Sequence, residues 1–209
     1  MALDEAILTA MPRLGKPLLR FYSWTEAAAT FGYFQKYAVV APMTRLRPLI
    51  RRPTGGGLVP HDADWTYSLF FPAGDDWYEL RAIESYRRVH EWLREAFGRL
   101  GVKTELSRRR HNESSGQCFA GAERFDLVAA QKKIAGAAQR RARSGLLVQG
   151  SVQPPAGVAK ADWQKALCDV AHRRWSVEWL PLEIESALVE GAGHLAREKY
   201  SQESYNEQR

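Results

Sequence analysis

The chain has 209 residues, 45% hydrophobic and 11% aromatic, which is material for one domain with a full core. No apolar run approaches the roughly 20 residues of a membrane-spanning helix, and the opening MALDEAILTAMPRLGK lacks the basic start of a secretory signal. A net charge of +6 suits an acidic protein partner. The clusters Arg108-Arg109-Arg110 and Arg140, Arg141, Arg143 sit on no DNA-reading motif and carry no interleaved aromatics, so nucleic acid is not expected. Cys118 and Cys168 have no CxxC partner and the five histidines are scattered. This pattern predicts reduced thiols, a cytoplasmic location and no zinc site.

In chain order, Leu3 to Met11 reads as a helix stopped near Pro12, and Leu18–Trp24 and Thr30–Phe34 as strands. A strand runs into Gly55-Gly56-Gly57, and another through Trp65–Phe71 is closed by Pro72. Trp77 to Leu100 is the strongest helix, with Leu80, Ile83, Tyr86, Leu93, Phe97 and Leu100 at three- and four-residue steps. Gly101 stops it before a strand at Val102–Leu106, and His111–Gln117 reads as a polar loop. Phe125–Val128, Lys133–Gly136 and Gly145–Val152 follow as strands, the last two joined by a basic turn. After Pro154-Pro155, helices are expected over Ala161–Ala171 and Leu182–Tyr200, with a frayed polar tail from Ser201. This order predicts an α+β fold with helices packed on mixed or antiparallel sheets, one domain over 1–209, with 153–209 as its helical C-terminal part.

Three features carry chemical interest. Three consecutive glycines exceed what a hairpin turn needs. They leave bare backbone against which a ligand can lie, with Arg51 and Arg52 suited to its anionic part. Cys118 reads either as a small buried hydrophobe or as a nucleophile activated by nearby cations. Alternation places Lys132 and Lys133 on opposite faces, so one of them leaves solvent or the strand is irregular. The buried one is either an edge-strand guard or an ammonium aimed at the cleft beside the glycines. His61 is more simply structural than catalytic, and Cys168 falls on the inner stripe of its helix.

The stretch Arg51-Arg52-Pro53-Thr54-Gly55-Gly56-Gly57-Leu58-Val59-Pro60-His61 followed by Thr66-Tyr67-Ser68 resembles the RRxTGGGxVxH…TYS signature of lipoate–protein ligases and cysteine-type octanoyltransferases. A second block is similar to the same family: Cys118-Phe119, Asp126-Leu127, Lys132 to Arg141, and Leu147-Val148-Gln149-Gly150-Ser151. The resemblance runs from Met1 to about Val152. It implies a biotin/lipoate protein-ligase fold with an acyl slot lined on opposite walls by the glycine loop and Lys133. The implied substrate contacts are Arg51, Arg52, Gly55, Gly56, Gly57, Val59, His61, Tyr67, Ser68, Ala135, Gly136, Gln149 and Gly150. The implied reaction attaches octanoyl or lipoyl groups to a lysine of lipoyl domains or of a glycine-cleavage H-type carrier protein. In the transferase branch, ranked first here, Cys118 takes the acyl group from an acyl carrier protein thioester without ATP, and Lys133 steadies the acyl oxygen. In the ligase branch, free octanoate or lipoate is adenylated with ATP and magnesium, and Asp126 is a metal ligand. A non-catalytic acyl-binding module is the third reading. Phe125 stands where the ligases have Asn. The family's first strand and the ligases' accessory C-terminal domain have no counterpart in the sequence.

Overall fold

The computed structural model describes residues 1–108 and 121–208. Helix α1 (Ala2–Leu14) continues through Pro12, which lies in its last turn, and ends only at Gly15, in left-handed backbone (φ 64°). The main sheet has the order β1-β5-β9-β8-β7-β6, built from β1 (Leu18–Tyr22), β5 (Trp65–Pro72), β6 (Glu105–Leu106), β7 (Leu127–Ala129), β8 (Lys132–Ala142) and β9 (Gly145–Val152). All its pairings are antiparallel. A smaller sheet, β3-β2-β4, holds β2 (Ala28–Phe31) parallel to β3 (Leu49–Arg51) and antiparallel to β4 (Val59–His61). The glycine loop connects β3 to β4.

Alternation along β5 divides the molecule into two faces. Trp65, Tyr67, Leu69 and Phe71 join the core beneath α4 (Ala82–Arg99) and α5 (Lys160–Trp175), while Phe70 packs with Leu147 against Ile7, Leu8 and Met11 of α1. The larger core is rich in rings: Trp163 meets Phe21 and Trp65 at centroid distances of 5.3 and 5.2 Å, and Trp77 stacks on Phe71 at 4.8 Å. Such pairs contribute about 1 kcal/mol each beyond the area they bury. Phe31, Val40, Leu49 and Leu58 form a separate small core for the second sheet.

The helix expected over Trp77–Leu100 is two helices. Asp75 accepts from the Trp77 N–H at 2.8 Å to start α3 (Asp76–Glu79), and Glu84 reaches back to the Arg81 N–H to start α4, with Leu80 and Arg81 extended between them. Ile83 faces solvent, and the buried stripe is Val89, Trp92, Leu93, Ala96 and Phe97. The basic turn between the last strands is largely strand: β8 runs to Ala142, Arg140 approaches Glu5 at 4.0 Å, and Arg141 donates to Ser85 Oγ and the Tyr78 carbonyl. The last predicted helix begins at Ser186, as α6 (Ser186–Leu195), and widens into a π turn over Ala196–Tyr200.

The tail is not frayed. It forms α7 (Glu203–Asn206), with Tyr205 buried, and Arg51 is the reason. This guanidinium is 1% exposed, lies 4.7 Å over Phe31, and donates to the carbonyls of Tyr33 and Gln35 at 2.7 Å and of Tyr205 and Asn206 at 3.1 Å, as well as to that of Gln208. Its backbone N–H donates to Asn206 Oδ1 at 2.9 Å. The planar fork with five donors suits this task and a lysine would not. Arg51→Met should lower unfolding stability by at least about 3 kcal/mol, since several buried carbonyls lose their donor at once. A urea midpoint close to that of the unaltered chain would contradict this role.

His90, on α4, is fully buried, with Nδ1 on the Tyr86 carbonyl at 2.9 Å. Burial is the main reason its pKa falls from 6.5 to about 4, against a smaller upward pull from Asp126. The unfolded chain therefore takes up a proton below about pH 6.5 that the folded chain refuses until about pH 4. Stability should be full above pH 6.5, fall as pH drops and level off below pH 4, a loss of about 3 kcal/mol. His90→Leu should flatten that part of the pH–stability profile.

Candidate active site

The glycine loop is held by its backbone. A methyl group on Gly32 would lie 1.9 Å from the Gly56 carbonyl oxygen, so only glycine can follow β2 here. The Tyr33 N–H donates to the Thr54 carbonyl at 2.9 Å, and the Arg52 N–H to that of Phe31 at 3.0 Å. The Arg52 side chain folds back onto the Gly55 carbonyl and covers Gly56, which sits at φ 88° with no room for a side chain beneath the guanidinium. Thr54 then ties the loop to the main sheet by donating to Gln149 Oε1 at 2.8 Å. Gln149 Nε2 donates to Asp4 at 2.7 Å, and the fully buried Asp4 also accepts from Ser68 Oγ and Arg20, each at 2.7 Å. Loop, sheet and α1 are thereby joined by a chain of polar contacts.

Between them lies a narrow cavity of about 40 Å³. Gly56, Val59 and His61 line it from the loop side, Gly136 and Ala138 from β8, and Gln149, Gly150 and Ser151 from β9. Met1, Tyr22, Thr30, Arg52, Thr66 and Ala137 complete the wall. Any ligand larger than one or two water molecules needs more room than this, so its entry requires a lining side chain to move. Met1, with three rotatable bonds, gives way most easily. His61 is fixed on the rim: its ring stacks on Trp24 at 4.2 Å, one nitrogen lies 2.8 Å from Thr30 Oγ1 and the other 2.9 Å from Asp64, which also accepts from Ser151 at 2.6 Å.

Lys132 is exposed and the Lys133 side chain is buried, 4% exposed, where a register irregularity between Leu127 and Val128 breaks the alternation. Lys133 Nζ lies 2.7 Å from Asp126 Oδ2. Asp126 is completely buried and accepts in addition from the Glu123 N–H at 2.7 Å and from the Tyr86 hydroxyl. Gly136 makes the space for this arrangement: a methyl group there would lie 2.7 Å from Lys133 Cε and 2.9 Å from Nζ. Gly136 also lines the cavity, so the ammonium packs against a residue of the cavity wall, although Lys133 itself is not among the lining residues.

The remaining expected contacts divide clearly. Arg51 points away from the cavity and is consumed by carbonyls, as described above. Tyr67 and Ala135 face the larger core, and Tyr67 fills the space that the bare Gly150 leaves, with a methyl there only 2.1 Å from its ring. Burial pushes the Tyr67 phenol well above its usual range. Ser68 serves Asp4, and Gly55 gives its carbonyl to Arg52; neither Gly55 nor Gly57 lines the cavity. Asp126 has its oxygens engaged by three donors, and among the described residues no three metal-binding side chains gather. Cys118, Arg109, Arg110 and the loop 111–117 lie outside the described residues. Cys168 is half-buried, and burial pushes its thiol pKa up. Sequence reading missed Asp4 and the tip of Tyr86. Asp4 could have been found, because it shares a stripe with Ile7, Leu8 and Met11 and so must be buried with a partner.

Residues 1–154 match the lipoyl protein ligase A/B catalytic domain. The chain is 34% identical over 166 residues to the octanoyltransferase LipM of Staphylococcus epidermidis and, over the same length, to that of Staphylococcus aureus. These alignments cover 73% of this chain, and it spans about 60% of the length of those relatives. Among solved structures, a lipoate protein ligase of Thermoplasma acidophilum superposes with a TM-score of 0.81 at 22% identity, covering 99% of this chain and 92% of that one. A lipoate-protein ligase A bound with ATP gives 0.78 at 23%, with the same coverage, which shows a shared fold. The chain belongs to the lipoyl protein ligase A/B catalytic-domain family.

Proposed function

We propose that this chain transfers an octanoyl or lipoyl group to one lysine of a lipoyl carrier domain, by way of a thioester on Cys118. The observation that carries this reading is the buried Lys133 ammonium, fixed by Asp126 and packed against Gly136, a residue that lines the cavity beside the glycine loop. The LipM relatives, named octanoyltransferases, supply the substrate class. The Cys118 thiolate attacks the thioester carbonyl of an acyl carrier donor, the S–C bond to the donor breaks, and the donor leaves as a thiol after taking up a proton. The acceptor lysine, as a neutral amine, then attacks the enzyme thioester. An amide forms, the amine gives up a proton and Cys118 regains its thiol. Exchange of one thioester for another needs no ATP, and amide formation from a thioester is downhill.

Lys133 donates to the acyl oxygen as negative charge develops on it. An ammonium carries three donors, so pairing with Asp126 orients it without preventing this. Tyr86 and the Glu123 N–H hold the carboxylate that holds the lysine. The ATP-dependent ligase reading asks Asp126 to bind magnesium, and the same three donors already occupying that carboxylate disfavour it. A mere binding module has no use for a buried, oriented ammonium beside its cavity.

Incubation with octanoyl-acyl carrier protein without ATP should add one octanoyl mass to the intact chain, and Cys118→Ala should abolish it. An adduct that survives in that variant, or transfer that requires ATP, would overturn the thioester route. Lys133→Ala should reduce single-turnover transfer about 100-fold or more, the usual loss on removing an oxyanion donor. Near-normal turnover would remove the lysine from the reaction.

A further inference from the structure

The lobe beside the glycine loop has a charge pattern unlike the rest of the chain. From Ala27 to His61, 35 residues contain no aspartate or glutamate, where average composition would place about four, yet they contain five cations. Arg51 and Arg52 are buried, and Lys36, Arg45 and Arg47 face solvent. No carboxylate of this segment offsets these three, although the tail docked on Arg51 brings Glu203 of α7 to the same lobe.

The same surface exposes apolar side chains. Phe34 is 77% exposed and Val39 55%. Phe34 is presented by a locked turn: the Gly32 N–H donates to Gln35 Oε1 at 3.1 Å, and the Gln35 N–H to the Gly32 carbonyl at 3.0 Å. Tyr33 packs edge-on beneath it at 5.2 Å and is hydrogen-bonded to Thr54. The turn therefore rests on the glycine loop, because Gly32 abuts Gly56, which lines the cavity, and Phe34 follows Gly32 by two residues. A rigidly held, exposed aromatic in a segment that also exposes Lys36, Arg45 and Arg47 is the pattern of an interface anchor.

We infer that residues 33–47 form the docking face for the acyl acceptor, a protein domain with carboxylates around its target lysine, and that Phe34 is the apolar anchor. This rests on the transfer reading above. The acceptor, rather than the donor, is assigned because a lysine reaches only the length of its own side chain, so its domain must sit against the cavity rim. A thioester donor on a long flexible arm can deliver its acyl group from farther away. The cations steer the acidic face, and Phe34 fixes its register.

The test is binding of an unmodified lipoyl domain to the full chain, measured by calorimetry or NMR titration at low salt. Phe34→Ser and the pair Lys36→Glu, Arg45→Glu should each weaken binding about tenfold or more, and added salt should weaken binding to the unaltered chain. Arg173→Glu, on the exposed side of α5, should leave it within twofold. Phe34 and both cations are exposed, so these variants keep the fold; circular dichroism checks this. Binding within twofold for the lobe variants, or a loss that falls on octanoyl loading of the chain rather than on the lipoyl domain, overturns the assignment. An unaltered chain that binds the domain through this face but transfers nothing would sink the transfer reading while leaving the docking face in place.

Discussion

An ammonium buried at the end of a strand must be given a counter-charge, and the pairing of Lys133 with Asp126 is the constraint around which this site is arranged. Asp126 is itself buried, so its second oxygen also needs donors, and these come from a loop N–H and from a tyrosine on a helix across the core. The pair thus recruits three separate parts of the chain. It also dictates a glycine at 136, because any side chain there would occupy the volume of the lysine. In the transfer reading proposed above, a cation held so firmly would lose little entropy on meeting an acyl oxygen.

The opposite wall is set by close backbone approach rather than by charge. Gly32 admits the Gly56 carbonyl, Gly56 lies under the Arg52 guanidinium, and Gly150 on the far side of the sheet yields its volume to Tyr67. Each glycine is therefore demanded by a different neighbour. The triple glycine is only partly a ligand cradle: Gly56 alone lines the cavity, and Gly55 spends its carbonyl on Arg52.

Much of this was legible in the residues. The glycine run, the lysine pair and the helix over 82–99 were visible as patterns, and their order carried the family and the α+β fold. The face on which each residue falls was only half visible. The motif Thr66-Tyr67-Ser68 reads as one functional unit, yet alternation sends Thr66 to the cavity, Tyr67 to the core and Ser68 to Asp4. Arg51 and Arg52 are adjacent for the same reason and have opposite duties. The partners of Arg51 lie more than 150 residues away in a polar tail, a contact that no local pattern announces. Tyr86 looked like one more apolar step of a helix because the stripe describes its ring and not its hydroxyl.

The two faces of the main sheet explain how the site stays both polar and closed. The face under α4 and α5 is packed with rings, whereas the face under α1 carries Thr66, Ser68, Gln149 and Ser151, each paired to a fixed carboxylate or loop hydroxyl. Those pairings immobilise the strands, the loop and α1 together. What can still give way at the cavity is side chain, not backbone: the Met1 thioether, which lies 3.3 Å from Gln149 Nε2, and the Arg52 guanidinium over Gly56. Movement of these two side chains would enlarge the cavity while the Lys133–Asp126 pair and the backbone contacts of the glycine loop stay in place, which is what the proposed transfer asks of the site.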